Sequence, residues 1–427
     1  MSTVNAILVD DDRDRGLFRV NRRVFTEADL LEKEWDAIFD RCWLYAGHES
    51  EVRNPGDYVT RKIARRPLIL VRGQDGVVRA LLNTCPHRGN RVCREPKGNA
   101  RGFTCFYHAW SFDTRGDLIG LPGDDAYAEA FDRTQMGLMP VPRFASYRGF
   151  LFVCFDPAAV DLADYLGEAG RQNIDYFIDS GGGEVEISAG AQSYSMKANW
   201  KLLAENSMDS YHGISTHQRY FRTYLPDIGV QSNRRPGRRP DSRGISLGNG
   251  HAVTLKPRYQ TALTGKANEE LAAQRAALDD KFGVEKAKEI GDFDRNLFIF
   301  PNLILISTWR TVRTFYPTSP DFVEIDAWAL LPCGESEELR QKRYQNFISF
   351  LGPAGFGTPD DVTALEGCQQ GFAAKEMEWS DISRGMKRAS PESIDELQMR
   401  AFWRRWHALM QGQTGETDCA DAPDQLV

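Results

Sequence analysis

Two short pairs of thiol and imidazole side chains constrain this chain more than any other feature: Cys85-Pro86-His87 and, after seventeen intervening residues, Cys105-Phe106-Tyr107-His108. Partners separated by one or two residues come from one tight loop, so each loop presents one sulfur and one nitrogen. With 8 Cys and 7 His in 427 residues, either spacing arises by accident in roughly one such chain in eight, and both close together far more rarely. Two thiolates and two imidazoles so arranged suit a [2Fe–2S] cluster whose cysteines hold one iron and whose histidines hold the other. A disulfide between Cys85 and Cys105, or a mixed Cys/His zinc site, are the competing uses of such loops.

The run from Met1 to Arg13 has no basic segment leading into an apolar stretch. That predicts a cytoplasmic protein with reduced thiols and weighs against the disulfide. The longest apolar run, Leu297 to Ile306, is interrupted by Pro301 and Asn302 and is too short for a bilayer, so no membrane partner is expected. A formal net charge of -7 offers no field for nucleic acid. Hydrophobic residues make up 41% of the chain, ample for packed cores in two or three domains.

Thr26 followed by Asp29 reads as a helix start, and Leu30, Leu31, Glu34, Trp35, Ile38 and Phe39 continue an amphipathic stretch to about Arg41. Residues 1–42 are thus an N-terminal tail and helix, expected to pack on the larger domain. From Trp43 to about Phe155 short alternating runs and Gly/Pro turns dominate, with strands expected at Tyr58–Thr60, Leu68–Val71, Val77–Leu82 and Gly149–Phe155. Residues 43–155 therefore form a small all-β domain around the first motif. The remainder, 156–427, reads as α+β. Helices are expected at Leu162–Phe177, Trp200–His212, Glu338–Leu351 and Ser393–Gln411, and strands at Val185–Ser195, Leu297–Ser307, Arg310–Tyr316 and Phe322–Leu331.

A second group of possible ligands lies in this larger part. In Glu205-Asn206-Ser-Met-Asp209-Ser-Tyr211-His212-Gly213-Ile-Ser-Thr-His217, Glu205, Asp209 and His212 share one face of a continuous helix. His217 would lie roughly 140° away from His212, unless Gly213 turns the chain back and lets both imidazoles converge. An ordinary helix end with two unrelated histidines is the plainer reading of the same residues.

In this order the two motifs resemble those of the catalytic α subunit of bacterial Rieske non-haem iron aromatic-ring-hydroxylating oxygenases, over a span from about Arg19 to His407. The resemblance implies a small all-β Rieske domain followed by a helix-grip catalytic domain, an antiparallel sheet with helices. It implies one Rieske [2Fe–2S] cluster per chain on Cys85, His87, Cys105 and His108. It also implies one mononuclear Fe(II) on His212, His217 and a carboxylate much further along. The segment Gly352-Pro-Ala-Gly-Phe-Gly-Thr-Pro-Asp360-Asp361 matches the place of that third ligand and selects Asp361, with Asp360 beside it. Thr358-Pro359-Asp360-Asp361 also reads as an N-cap, a first-turn proline and a capping-box acid.

Asp209 takes from the family the role of bridging a cluster histidine and an iron histidine across a subunit boundary. The family further implies a trimer, α₃β₃ with a small β subunit or otherwise α₃, supplied with electrons by a reductase or ferredoxin and using O₂. Two details depart from the pattern. Ala109 stands where glycine is usual, and Glu205-Asn206-Ser-Met-Asp209 is one residue shorter than in naphthalene- and biphenyl-type members. Gly120-Leu-Pro122-Gly123 resembles the proline loop that covers the cluster.

The runs Gly16–Val20, Cys42–Glu51 and Phe298–Leu303 look most like the branch that oxidises aromatic carboxylates such as p-cumate and benzoate. A carboxylate substrate calls for a cation, and a forked guanidinium suits it. Arg313 is the first choice, since strand alternation puts it on one face with Thr311 and Phe315, with a structural ion pair as its other use. The arginine-rich stretch Arg234–Arg243 reads as a solvated loop or a contact for an acidic ferredoxin or partner subunit. Monohydroxylation of an aromatic acid uses the same ligands as dihydroxylation. A non-catalytic Rieske electron carrier remains the rival class, although it needs no second domain of about 270 residues.

Overall fold

The computed structural model describes residues 7–188, 190–228, 241–258, 266–413 and 415. The chain divides into two units, Phe39–Leu162 and the combination of Met1–Ile38 with Ala163–Val427. Most of the Arg234–Arg243 stretch lies outside the described residues.

Short alternating runs with Gly/Pro punctuation build the first unit from three antiparallel sheets. One orders Arg143–Tyr147, Phe150–Cys154 and Leu44–His48; a second orders Val78–Leu82, Arg66–Arg72, Asp57–Ile63 and Lys97–Asn99. The third, Leu118–Gly120, Ser111–Asp113 and Gly102–Thr104, carries the second motif on the connection between two of its strands. Phe150–Cys154 is buried at every residue, which is why it reads as an unbroken apolar run: it is the middle strand of its sheet. The core that matters for the motif gathers Phe103, Trp110, Phe112, Leu121 and Leu138 around Cys85 and Cys105.

In the second unit the N-terminal helix begins one residue later than the Thr26 reading. Thr26 closes a short 3-10 turn, Arg22–Phe25, and the helix Ala28–Glu34 has Glu27 at its N-cap and continues through a π-turn, Trp35–Phe39. A large antiparallel sheet follows. Its strands are β1 (Val185–Ile187), β2 (Gln192–Met196), β3 (Arg243–Gly248), β4 (His251–Pro257), β5 (Phe293–Ile299), β6 (Leu303–Ile306), β7 (Thr311–Ser319) and β8 (Phe322–Pro332). The order is β1-β8-β7-β6-β5-β4-β3, with β2 also paired to β8. The expected strand over Leu297–Ser307 is in fact two, because the chain reverses at Phe300–Asn302.

Three helices position the candidate ligands: α1 (Trp200–Met208), α2 (Gly357–Gly371) and α3 (Leu397–Met410). Asn199 caps α1 through its side chain, which accepts from Lys201 N at 3.1 Å. A fully buried carboxylate, Glu34, ties α1 and α3 to the N-terminal helix. It accepts from Lys201 Nζ at 2.6 Å, Trp200 Nε1 at 2.6 Å and Trp406 Nε1 at 2.8 Å. A buried charge persists only when paired and hydrogen-bonded in this way. The mixed helix and sheet content is the α+β class expected. Among the described residues, no helix is long and apolar enough to cross a membrane.

Candidate iron sites

The two motif loops share one backbone plan. In each, the amide four residues after the cysteine donates back to the cysteine carbonyl: Gly89 N to Cys85 O at 2.8 Å, and Ala109 N to Cys105 O at 2.9 Å. Each cysteine amide then donates to the carbonyl five residues on, Cys85 N to Asn90 O and Cys105 N to Trp110 O, both at 2.8 Å. The fifth residue of each loop takes a left-handed conformation, with φ of 73° at Gly89 and 58° at Ala109. Within this shared plan the histidine falls third in one loop and fourth in the other.

Cys85 and Cys105 are buried and free of any disulfide, and Asn90 Nδ2 lies 3.7 Å from Cys105 Sγ. The disulfide reading is thereby set aside. The His87 and His108 ring centroids are 4.5 Å apart, and His87 stacks on Trp110 at 5.0 Å with only 4° between planes. His87 Nδ1 is buried without a hydrogen-bond partner among the described residues. An orphaned imidazole nitrogen beside two buried thiols fits a cluster that takes it as a ligand.

In the larger unit, α1 ends at Met208, and Asp209 is its extended C-cap. Glu205, Asp209 and His212 therefore do not share the face of one continuous helix. The helix stops because the Asp209 carboxylate captures the amides that would continue it: Oδ1 accepts from Tyr211 N at 2.6 Å and Oδ2 from His212 N at 3.2 Å. Gly213 is not the turning residue; it sits inside a 3-10 turn, His212–Ile214. The turn nevertheless brings the rings of His212 and His217 to 5.1 Å.

Asp361 completes the group. His212, His217 and Asp361 each offer a ligand atom within 4.8 Å of the others. Asp361 Oδ1 is 3.4 Å from His212 Nε2 and 3.3 Å from His217 Nε2. The outer nitrogens face other acids: His212 Nδ1 is 2.9 Å from Asp209 Oδ2, and His217 Nδ1 is 3.5 Å from Asp360 Oδ2. The Asp209 carboxylate against Nδ1 of His212 fixes that ring with Nε2 turned towards Asp361, the orientation seen in metal-binding histidines, whereas His217 Nδ1 has no hydrogen-bond partner among the described residues. Thr358 is not an N-cap; α2 begins at Gly357 and Thr358 Oγ1 bonds Leu351 O at 2.8 Å.

Burial opposes charge on His212, but Asp209 and Asp361 outweigh it and push its pKa up to about 10. Burial likewise raises the Asp361 carboxyl, yet hydrogen bonds from His212 and His217 overcome it and hold the group well below the usual range. Two imidazoles and a low-pKa carboxylate, all inward-facing, suit a 2-His-1-carboxylate iron and leave coordination positions open.

The triad opens on a partly open cavity lined from α1, the turn after it, β4, β5, β7 and α2. Its apolar wall includes Trp309 and Phe350, stacked at 3.9 Å and 6°. Arg313 also lines it, 3% exposed, with Nε and Nη2 lacking hydrogen-bond partners among the described residues. Arg310 is spoken for, donating to Phe177 O at 2.7 Å. Among the lining residues to which the sequence analysis gave no role are Asn206, Lys256 and Asn296. Asn206 donates to Asp361 Oδ1 at 3.0 Å; Lys256 and Asn296 come from β4 and β5. Strand alternation with Thr254 was the only available signal for Lys256.

The Rieske [2Fe–2S] domain model matches residues 42–142, and the model for the ring hydroxylating alpha subunit (catalytic domain) matches residues 186–412. The chain is similar to the 2-halobenzoate 1,2-dioxygenase large subunit of Burkholderia cepacia, 37% identical over 88% of this chain and 82% of that one. It is also similar to the anthranilate 1,2-dioxygenase large subunit of Acinetobacter baylyi, 34% identical over 88% and 82%. Naphthalene 1,2-dioxygenase with indole bound in its active site superposes with a TM-score of 0.84 at 28% identity, covering 97% of this chain and 96% of that one. Cluster loops, triad and matches together make this chain a member of the α subunits of Rieske aromatic-ring-hydroxylating dioxygenases, which carry a [2Fe–2S] cluster and a mononuclear iron.

Proposed function

We propose that this α subunit cis-dihydroxylates an aromatic carboxylate of the benzoate type, with Arg313 holding the carboxylate. The observation that carries the reading is the buried, unpaired guanidinium on the wall of the triad cavity. An uncompensated buried charge is costly, and a substrate carboxylate would satisfy two of its N–H groups at once. The halobenzoate and anthranilate oxygenases among its relatives support the same substrate class.

Cys85, His87, Cys105 and His108 would hold the cluster, and His212, His217 and Asp361 the mononuclear iron. When bound, the two centres supply single electrons and an open site for dioxygen. The remaining work falls to the chain. Asp209, 2.9 Å from His212 Nδ1, would hold a proton on that nitrogen once Nε2 is given to the metal. The stacked pair Trp309 and Phe350 would give the substrate ring an apolar wall. Asp209 is also the proposed bridge through which a neighbouring subunit's cluster addresses His212, in an α₃β₃ assembly with a small β subunit, or an α₃ one, reduced by a ferredoxin or reductase.

The test begins with iron and acid-labile sulfide on anaerobically purified protein. About three irons and two sulfides per chain, with a Rieske EPR signal on reduction, are expected, falling to two irons in His212→Ala/His217→Ala. Zinc without sulfide would remove the cluster. Turnover of benzoate under labelled dioxygen should then place two labelled oxygens in one product; a single one would replace dihydroxylation by monohydroxylation.

A further inference from the structure

Equivalent residues of the two cluster loops reach across to one another. Asn90 and Trp110 each stand five residues after a cysteine, and the backbone carbonyl of each accepts the amide of its own loop's cysteine. Their side chains cross to the opposite loop. Trp110 stacks on the ring of His87, whereas Asn90 Nδ2 meets Cys105 Sγ at 3.7 Å, within the range of an N–H···S hydrogen bond. The same nitrogen lies 3.2 Å from Arg91 O, so the two N–H groups of the amide have two acceptors.

In their backbone donors the two sulfurs are alike. The amides two and three residues on are turned to each: those of His87 and Arg88 to Cys85, and those of Tyr107 and His108 to Cys105. Asn90 adds a third donor to Cys105, from a side chain of the other loop. Cys105 is only 1% exposed, so water competes poorly for that sulfur.

Resting on the cluster ligands assigned above, we propose that Asn90 tunes the cluster: by donating to Cys105 Sγ it favours the reduced form and raises the reduction potential above the value that the two loops alone would set. The electron delivered by a ferredoxin or reductase adds one negative charge and no proton, and part of that charge falls on the thiolate sulfurs. An N–H aimed at such a sulfur holds the more negative form more tightly. Asn90 thus eases loading by the electron donor and makes onward transfer to the mononuclear iron less steep. It touches no substrate and acts through Cys105 alone.

Redox titration of the anaerobic holoenzyme, followed by the EPR signal of the reduced cluster, tests this. Asn90→Leu removes the donor at similar volume, and its potential should fall by about 59 mV, a tenfold shift in a one-electron equilibrium. Asn90→Asp replaces the donor by a negative acceptor and should fall further, while Asn90→Gln keeps an amide and should recover part of the loss. An unchanged potential in Asn90→Leu, whether or not its melting temperature drops, would overturn the proposal and leave Asn90 a structural link. If Asn90→Leu loads no cluster, wild-type protein carrying nitrogen-15 in its asparagine side chains decides. Pulsed EPR of the reduced cluster should then show a weak nitrogen-15 coupling that Asn90→Gln lacks, and its absence from the wild type would overturn the contact. A wild-type chain with no Rieske signal would sink the ligand assignment, and the proposal with it.

Discussion

All four candidate ligands of the cluster lie between Cys85 and His108 on two loops with the same hydrogen-bond plan. The iron triad instead draws two histidines from the turn after α1 and a carboxylate from α2. The cluster loops are built by local geometry, so a few residues of sequence specify them. The triad depends on packing distant segments, so its geometry is hostage to the whole unit. Substitutions should separate these two kinds of site.

The widest separation is expected at the acid pair. Asp361→Ala removes the carboxylate oxygen that faces both Nε2 nitrogens and should cost the mononuclear iron outright, with the Rieske EPR signal unchanged. Asp360 approaches His217 Nδ1 only to 3.5 Å without a hydrogen bond, so Asp360→Asn should leave the mononuclear iron bound. Metal analysis after gel filtration reads both; iron lost from Asp360→Asn and kept in Asp361→Ala would reverse the assignment.

The same contrast explains what could be read beforehand. Cys85, His87, Cys105 and His108 stand out by spacing alone, and the strands of their unit by alternation. Around the triad, periodicity misleads. Glu205, Asp209 and His212 keep helical spacing past Met208, but the Asp209 side chain takes the amides of Tyr211 and His212 and ends the helix. Thr358 looks like a cap, yet its hydroxyl is drawn to Leu351 O. Side-chain competition for backbone groups leaves no periodic trace. Lys256 and Arg313 share a face only through the register of four strands, which no local window contains.

If the triad depends on distant packing, cutting a remote tether should harm it and spare the cluster. Glu34→Ala strands the buried Lys201 ammonium and leaves two indole N–H groups without their acceptor. A loss of about 3–5 kcal/mol is expected in urea unfolding of the larger unit, with iron retention reduced and the cluster spectrum intact. A change below about 1 kcal/mol would mean that the tether is ornamental.

Acid–base behaviour sharpens the contrast further. Burial raises Glu205, whose Oε1 accepts from Trp403 Nε1 at 2.5 Å, to about 7. Between its unfolded value of 4.5 and about 7 the folded chain keeps a proton that the unfolded chain releases, so this group makes stability fall as pH rises through that window. The upper limit is about 3 kcal/mol. Glu205→Gln keeps an acceptor for Trp403 and should flatten that part of the pH profile. Glu396, also raised to about 7 by burial, should leave a residual slope. An unchanged profile in Glu205→Gln would place the proton elsewhere.

The smallest effect lies inside the cluster unit, where the two loops serve as each other's control. Gly89 and Ala109 occupy equivalent left-handed positions, but only glycine does so without steric cost. In Ala109→Gly, relief of roughly 1–2 kcal/mol is partly offset by the greater freedom of the unfolded chain. A net gain of about 0.5–1 kcal/mol should remain. Gly89→Ala should shift stability the other way, since a Cβ there meets nothing nearer than Thr84 Oγ1 at 3.9 Å and the penalty is conformational alone. Thermal unfolding of the two variants, read through the cluster's absorbance, should therefore move in opposite directions. Shifts of the same sign would show that the loops, despite their common hydrogen bonds, do not share one energetic plan.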